Sequence, residues 1–225
     1  MEYALVCPPG EGETLRLDYR AFAYAGKFVV GKPGKAVIRT ADGGPAAPDW
    51  EPGEPLPGTV DAEAFDDGVI AAVSFSPDRT DPACCRLRYV TVHGARRGEG
   101  IGPRLIRETV ADLSAAGFDR VKIAVNNPFA YEACHKCGFA YTGERTGIAE
   151  LELARPAATP ARVDPERYRE GLEAFRETDG ELTRAERRFV AERLERGPPA
   201  ADGPAGGGDN ATETADDATE TADDG

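Results

Sequence analysis

Arg97, Gly100 and Gly102 stand as Arg-x-x-Gly-x-Gly, with Gly98, Glu99 and Ile101 between them, where an apolar strand pattern gives way to a helical one. Glycines let a main chain approach a ligand closely, and the first-turn N–H groups of a helix point at an anion. Such a junction can hold a pyrophosphate with backbone alone. A second group able to do chemistry is Cys134-His135-Lys136-Cys137, with Tyr131 three residues upstream. A helical Cys-x-x-Cys places both thiols on one face, where small apolar core residues are the ordinary reading and a zinc or redox site the minor one. His93 follows the strand pattern Cys85–Val92 and reads as a solvated loop histidine. Arg86 and Arg88 alternate in the same strand with Leu87 and Tyr89 and read as solvated. If they line a cleft, they suit a ligand that carries a carboxylate.

Elements that position these residues can be read on both sides. Glu2–Cys7, residues 35–40, 68–76, 85–93, 121–125 and 148–153 have strand character, and residues 14–25 place Leu15, Tyr19, Phe22 and Ala23 near helical spacing. The helix after the glycine turn opens on Pro103, where a missing N–H costs least. It carries Ile106, Val110 and Leu113 on one face and closes at Gly117, with Phe118 as the hydrophobic partner of the cap. Residues 128–137 form a short helix. Beyond residue 155 two helices are expected, one after Asp164-Pro165 and one opened by the capping box Thr183-x-x-Glu186 and ended at Gly197.

Two fingerprints compete for the glycine turn and both fail. A dinucleotide-binding turn needs a third glycine where Pro103 or Leu105 stands. A P-loop needs Gly-Lys-Ser/Thr where Gly102-Pro103-Arg104 stands. The wider constellation decides: Val90-x-Val92, then Arg97-x-x-Gly100-x-Gly102 and Leu105, then Asn127 after a strand, then Gly138-Phe139 after a short helix. In order and spacing this set resembles the GNAT superfamily of N-acetyltransferases over residues 68–153. The resemblance implies an α/β (α+β) fold with a mixed, mostly antiparallel sheet, a splayed central strand and flanking helices. It implies acetyl-CoA as cosubstrate, with the amides of Arg97, Gly98, Glu99, Gly100, Ile101 and Gly102 on the pyrophosphate. Main-chain groups of Val90 and Val92 would lie along pantetheine, and Asn127 would hydrogen-bond the CoA arm. It further implies acetyl transfer to a primary amine on a small molecule or peptide. Many relatives place a tyrosine acid four residues before Gly-Phe. That position is Cys134 here, with Tyr131 and His135 as neighbouring substitutes. A catalytically idle acyl-CoA-binding module is the alternative.

Composition bounds the rest. The net charge is −13. Residues 41–67 and 198–225 each hold eight acids and no Lys or Arg, so these two segments more than account for it. Five prolines and few large apolar residues in 41–67 predict a disordered acidic insertion, and 198–225, with ATETADD twice in tandem, a disordered acidic tail. The expected organisation is therefore an acetyltransferase-like domain over 1–155, a helical hairpin appendage over 163–197, and the tail. Both acidic segments would repel phosphates, which speaks against a nucleic-acid partner. There is no signal peptide pattern and no apolar run of membrane-spanning length, so the expected setting is cytoplasmic, with no membrane partner. A homodimer stays open. Five cysteines are an odd number without secretory context, and no metal is expected. Scarce lysine and abundant acid and alanine match proteins from high-salt cytoplasm, where screening shortens the reach of surface charge.

Overall fold

The computed structural model describes residues 1–147, 150–177 and 182–200. Seven strands form one sheet: β1 (Glu2–Cys7), β2 (Gly34–Arg39), β3 (Val69–Pro77), β4 (Cys84–Val92), β5 (Arg120–Val125), β6 (Ala140–Thr146) and β7 (Glu150–Pro156). Their order across the sheet is β1-β2-β3-β4-β5-β7-β6. Every neighbouring pair is antiparallel except β4 and β5, which run parallel. Parallel strands need a long crossover. Here it is α1 (Ile101–Ala115), entered through the glycine turn.

Alternation sorts the strands onto two faces. Ala36, Ile38, Val73, Phe75, Leu87, Val121, Ile123 and Leu153 share one core with Leu105, Ile106 and Val110 of α1. Val37 and Ala72 lie in a second cluster with Leu15, Leu17, Phe22 and Phe28. Helix α1 closes as its sequence predicts. Gly117, at φ 91°, donates to the Ser114 carbonyl, and the Phe118 N–H reaches the Leu113 carbonyl at 3.1 Å. These two bonds make a Schellman cap. Helix α2 (Pro128–Lys136) starts on Asn127, whose side chain accepts from the Ala130 N–H at 2.9 Å.

Four features depart from the sequence reading. Residues 14–25 form no α-helix. Leu15 and Leu17 bury in strand-like alternation, and Asp18 then organises a single turn, accepting Ala21 and Phe22 N–H on its carbonyl and pairing with Arg20 at 2.7 Å. The chain ends that stretch at Tyr24 in the left-handed region, and a short 3-10 turn (Ala25–Lys27) follows. Residues 41–67 run over the molecule tied to it at several points. Arg20 and Arg96 donate to the carbonyls of Glu54 and Ala46, and Arg16 and Asp66 exchange bonds. Backbone carbonyls claimed by arginines give this apolar-poor segment a fixed course that composition does not reveal. The strand pattern near 148–153 is the second arm of a hairpin whose first arm, β6, is too polar to show alternation.

The fourth departure concerns α3 (Pro165–Glu177) and α4 (Arg184–Arg196). Both form, and the Thr183–Glu186 capping box is complete. Tyr168, Leu172, Phe175 and Val190 belong to the main core, so the pair is not set apart from residues 1–155. Glu132 of α2 ties them down, accepting from the Tyr168 hydroxyl at 2.7 Å and from Arg193 Nε at 2.9 Å. Residues 201–225 of the expected tail, with the tandem repeat, lie outside the described residues.

Candidate functional site

The site begins where β4 and β5 part. They pair from Cys84↔Arg120 to Leu87↔Ile123, after which β4 runs on to Val92 and β5 to Val125 without pairing. The edge of β4 that faces β5 is therefore open from Arg88 onward, and backbone groups on such an edge are a template for an added extended chain. A bulge between Leu87 and Tyr89, with Arg88 as the extra residue, bends β4 at this level. Below the fork the strands are cross-linked by charge. Arg86 pairs with Asp78 and, at 2.9 Å, with Glu152 of β7, and Lys122 of β5 reaches the other Glu152 oxygen at 2.8 Å. Arg86 is thus committed to carboxylates of this chain rather than solvated.

At the open end β4 passes into the glycine turn. Arg97 is extended, Gly98 has φ 87° and Gly100 φ 76°. A Cβ at either glycine would meet nothing within 4 Å, so backbone conformation and open approach, not crowding, select glycine there. Gly100 caps α1 with no side-chain hydrogen bond. Helix geometry leaves the Ile101 and Gly102 N–H groups without helical acceptors, and Pro103 has none to offer. Gly102 packs on the end of β4, where its Cβ would lie 3.5 Å from Val92 Cγ2. Arg97 is exposed, with its Nε 3.4 Å from the Val92 carbonyl. Glu99 is held by Arg96 at 2.8 Å, which keeps its carboxyl below the usual range. The turn, Val90 and Val92 thus come together at one end of the fork, beside the open strand edge. Asn127 follows β5 across the gap, but its side-chain oxygen caps α2 and its Nδ2 donates to Asn126 Oδ1 at 3.2 Å.

The three residues nominated as the acid are placed elsewhere. Cys134 is 1% exposed, Tyr131 0% and His135 1%. Burial, with Cys137 beside it, raises the Cys134 thiol well above its ordinary pKa. The Tyr131 hydroxyl donates to the Tyr168 carbonyl at 3.1 Å, and its ring sits among Tyr141, Tyr168 and Phe175. His135 lies 4.5 Å from the Tyr131 ring and 4.8 Å from that of Tyr168. An acid role for any of the three finds no support in this packing, which gives each a place in the α2–α3 core. Cys134→Ala is expected to cost about 1–2 kcal/mol of stability as a buried sulfur is lost. Turnover per folded molecule should stay within about twofold. A large fall in kcat at unchanged acetyl-CoA affinity would return the thiol to the chemistry.

His93 also differs from its sequence reading. It is 5% exposed, boxed edge-on by Phe22 at 5.2 Å and Trp50 at 4.9 Å, and its Nδ1 accepts the Ala95 N–H. Burial lowers its pKa, so the ring is neutral near pH 7. All five cysteines are buried free thiols. Among the described residues no cluster of three His, Cys, Asp or Glu side chains could hold a metal, and no helix is long and apolar enough to cross a membrane.

Residues 40–139 match the family model described as acetyltransferase (GNAT) family. This stretch of the chain belongs to the GNAT acetyltransferase family. The matched GNAT segment takes in β3, β4, the glycine turn, α1, β5 and α2, which are the elements that build the fork. Solved structures similar to part of the chain include an N-acetyltransferase from Staphylococcus aureus Mu50, at 13% identity and a TM-score of 0.40, over 56% of this chain and 68% of that one. A GCN5-related N-acetyltransferase from Kribbella flavida gives 18% and 0.40, over 55% and 67%. The PaiA N-acetyltransferase from Thermoplasma acidophilum, solved with coenzyme A, gives 16% and 0.35, over 40% and 55%. No curated protein sequence matches the chain. GNAT proteins use acyl-CoA, and the open β4 edge beside an uncapped helix start with two left-handed glycines fits such a ligand: an extended arm along the strand, a pyrophosphate on the turn.

Proposed function

We propose that this chain moves an acetyl group from acetyl-CoA to a primary amine. The observation that carries the reading is the parting of β4 from β5 directly beside the Arg97–Gly102 turn. In this reading the amides of Arg97 to Gly102 hold the pyrophosphate, with Pro103 withholding one donor. Main-chain groups near Val90 and Val92 take the pantetheine arm as an added strand. The amine nitrogen attacks the thioester carbon, and an amide of the open β4 edge stabilises the oxyanion. Collapse breaks the C–S bond and frees the CoA thiolate. The amine loses one proton and the thiolate gains one, so solvent can close the balance.

Two measurements test it. Calorimetry with acetyl-CoA should give saturable binding at one site per chain. Release of free CoA should then depend on an added primary amine. Absence of acetyl-CoA binding overturns the proposal. Binding without turnover across a broad amine panel favours the second reading, an acyl-CoA-binding module without catalysis. That reading draws on the enclosure of Tyr131, Cys134 and His135.

A further inference from the structure

Tyr24 is the one non-glycine residue with positive φ among the described residues, at φ 60° and ψ 17°. For a bulky aromatic side chain this backbone is a genuine outlier, and such outliers gather where a side chain must be held for a ligand. Core packing does not explain it, because the residue is 50% exposed. What the conformation achieves is a position across the fork. The Tyr24 hydroxyl stands 3.5 Å from Asn126 Nδ2, just beyond β5, and its ring lies 5.6 Å from that of Tyr89 on β4. Tyr89 packs with the cluster under the 15–28 coil, whereas Val90 and Val92 pack toward the α1 side. The aromatic pair therefore flanks the gap on the face opposite the glycine turn.

Charge around the pair is one-sided. Lys27 Nζ lies 5.8 Å from the Tyr89 ring centre, and Arg88, next in sequence to Tyr89, donates to the Ser76 hydroxyl. Among the described residues neither cation is paired with a carboxylate, whereas Arg86 and Arg96 nearby both are. Resting on the acetyltransferase reading above, we infer that Tyr24 and Tyr89 grip the acceptor from this face and that Lys27 and Arg88 select its charge. The acceptor class is a primary amine with a flat apolar body and a carboxylate, as in an aromatic amino acid.

Product binding to CoA-saturated protein, followed by calorimetry, tests this without requiring turnover. N-acetylphenylalanine is expected to bind about tenfold tighter than N-acetylphenethylamine, which lacks the carboxylate. Lys27→Ala combined with Arg88→Ala should erase that difference. Tyr24→Asn keeps a residue that tolerates the left-handed backbone but removes the ring, and should weaken both ligands about tenfold. Equal affinities for the two ligands, absence of binding by either, or indifference to Tyr24→Asn each overturn the inference. Failure of CoA itself to bind sinks the acetyltransferase reading. Tight CoA binding with acetylation of neutral or cationic amines alone sinks only the acceptor class.

Discussion

Gly100→Asp is expected to weaken CoA binding by at least about 100-fold, equivalent to roughly 2.7 kcal/mol, while the protein stays folded. Two effects act together. The side chain would stand in the approach to the Ile101 and Gly102 amides, and its carboxylate would face the pyrophosphate's own charge. The fold should survive because an added Cβ at this position meets no atom within 4 Å. What remains is the strain of a left-handed backbone at φ 76°, about 1–2 kcal/mol and less for aspartate than for most residues. Calorimetry and a urea melt separate the two outcomes. Unaltered CoA affinity would remove the turn from the binding site, and an unfolded variant would be answered by Gly100→Ala, which keeps the strain and adds no charge.

The second large effect is acid lability carried by His135. Its ring is enclosed, among the described residues neither ring nitrogen has a hydrogen-bond partner, and burial pushes its pKa down from 6.5 to about 4. Above pH 6.5 the imidazole is neutral in both folded and unfolded chains and contributes no pH dependence. Below that, the unfolded chain takes up a proton that the folded one refuses until the pH nears 4. Stability therefore falls as pH drops across this window, by about 3 kcal/mol in all. Urea unfolding of wild type and His135→Leu at several pH values between 7 and 4 should show the wild type losing stability more steeply. Parallel curves would mean that the ring protonates without penalty and is not sealed.

The parts of this protein that were legible from sequence are those in which local chemistry and tertiary role agree. Gly98 and Gly100 announce a turn because glycine suits their left-handed dihedrals best, and Gly117-Phe118 announces a cap for the same reason. Thr183 and Glu186 satisfy each other within one turn, so their motif needs no partner. Legibility ends where long-range contacts choose. Leu15, Tyr19 and Phe22 match a helical stripe, yet Leu17 is buried and Tyr19 exposed, because the coil packs on Val37 and Ala72 and forms only one turn of local hydrogen bonds at Asp18. Trp50 lies in an acidic, apolar-poor segment, and nothing local shows that it closes the box around His93. Cys134 was read from its distance to Gly138-Phe139, and that spacing does not report that α3 would seal the outer side of α2 with Tyr168 and Phe175. Tyr24 carried no signal at all, since its role depends on β4 and β5 separating beside it.

Glu152 gives the fork a fixed depth. By holding Arg86 and Lys122 at once, it pins β4 to β5 one level below their last pair, Leu87↔Ile123, the way a stop holds a zip near its end. Opening the fork further would tear Arg86 of β4 from a carboxylate that is 4% exposed and stays with Lys122 on the β5–β7 side. The slot is therefore cut before any ligand arrives. In the acetyltransferase reading proposed above, an extended arm entering it spends no binding energy on prising a sheet apart and keeps that energy for the contacts that orient the thioester.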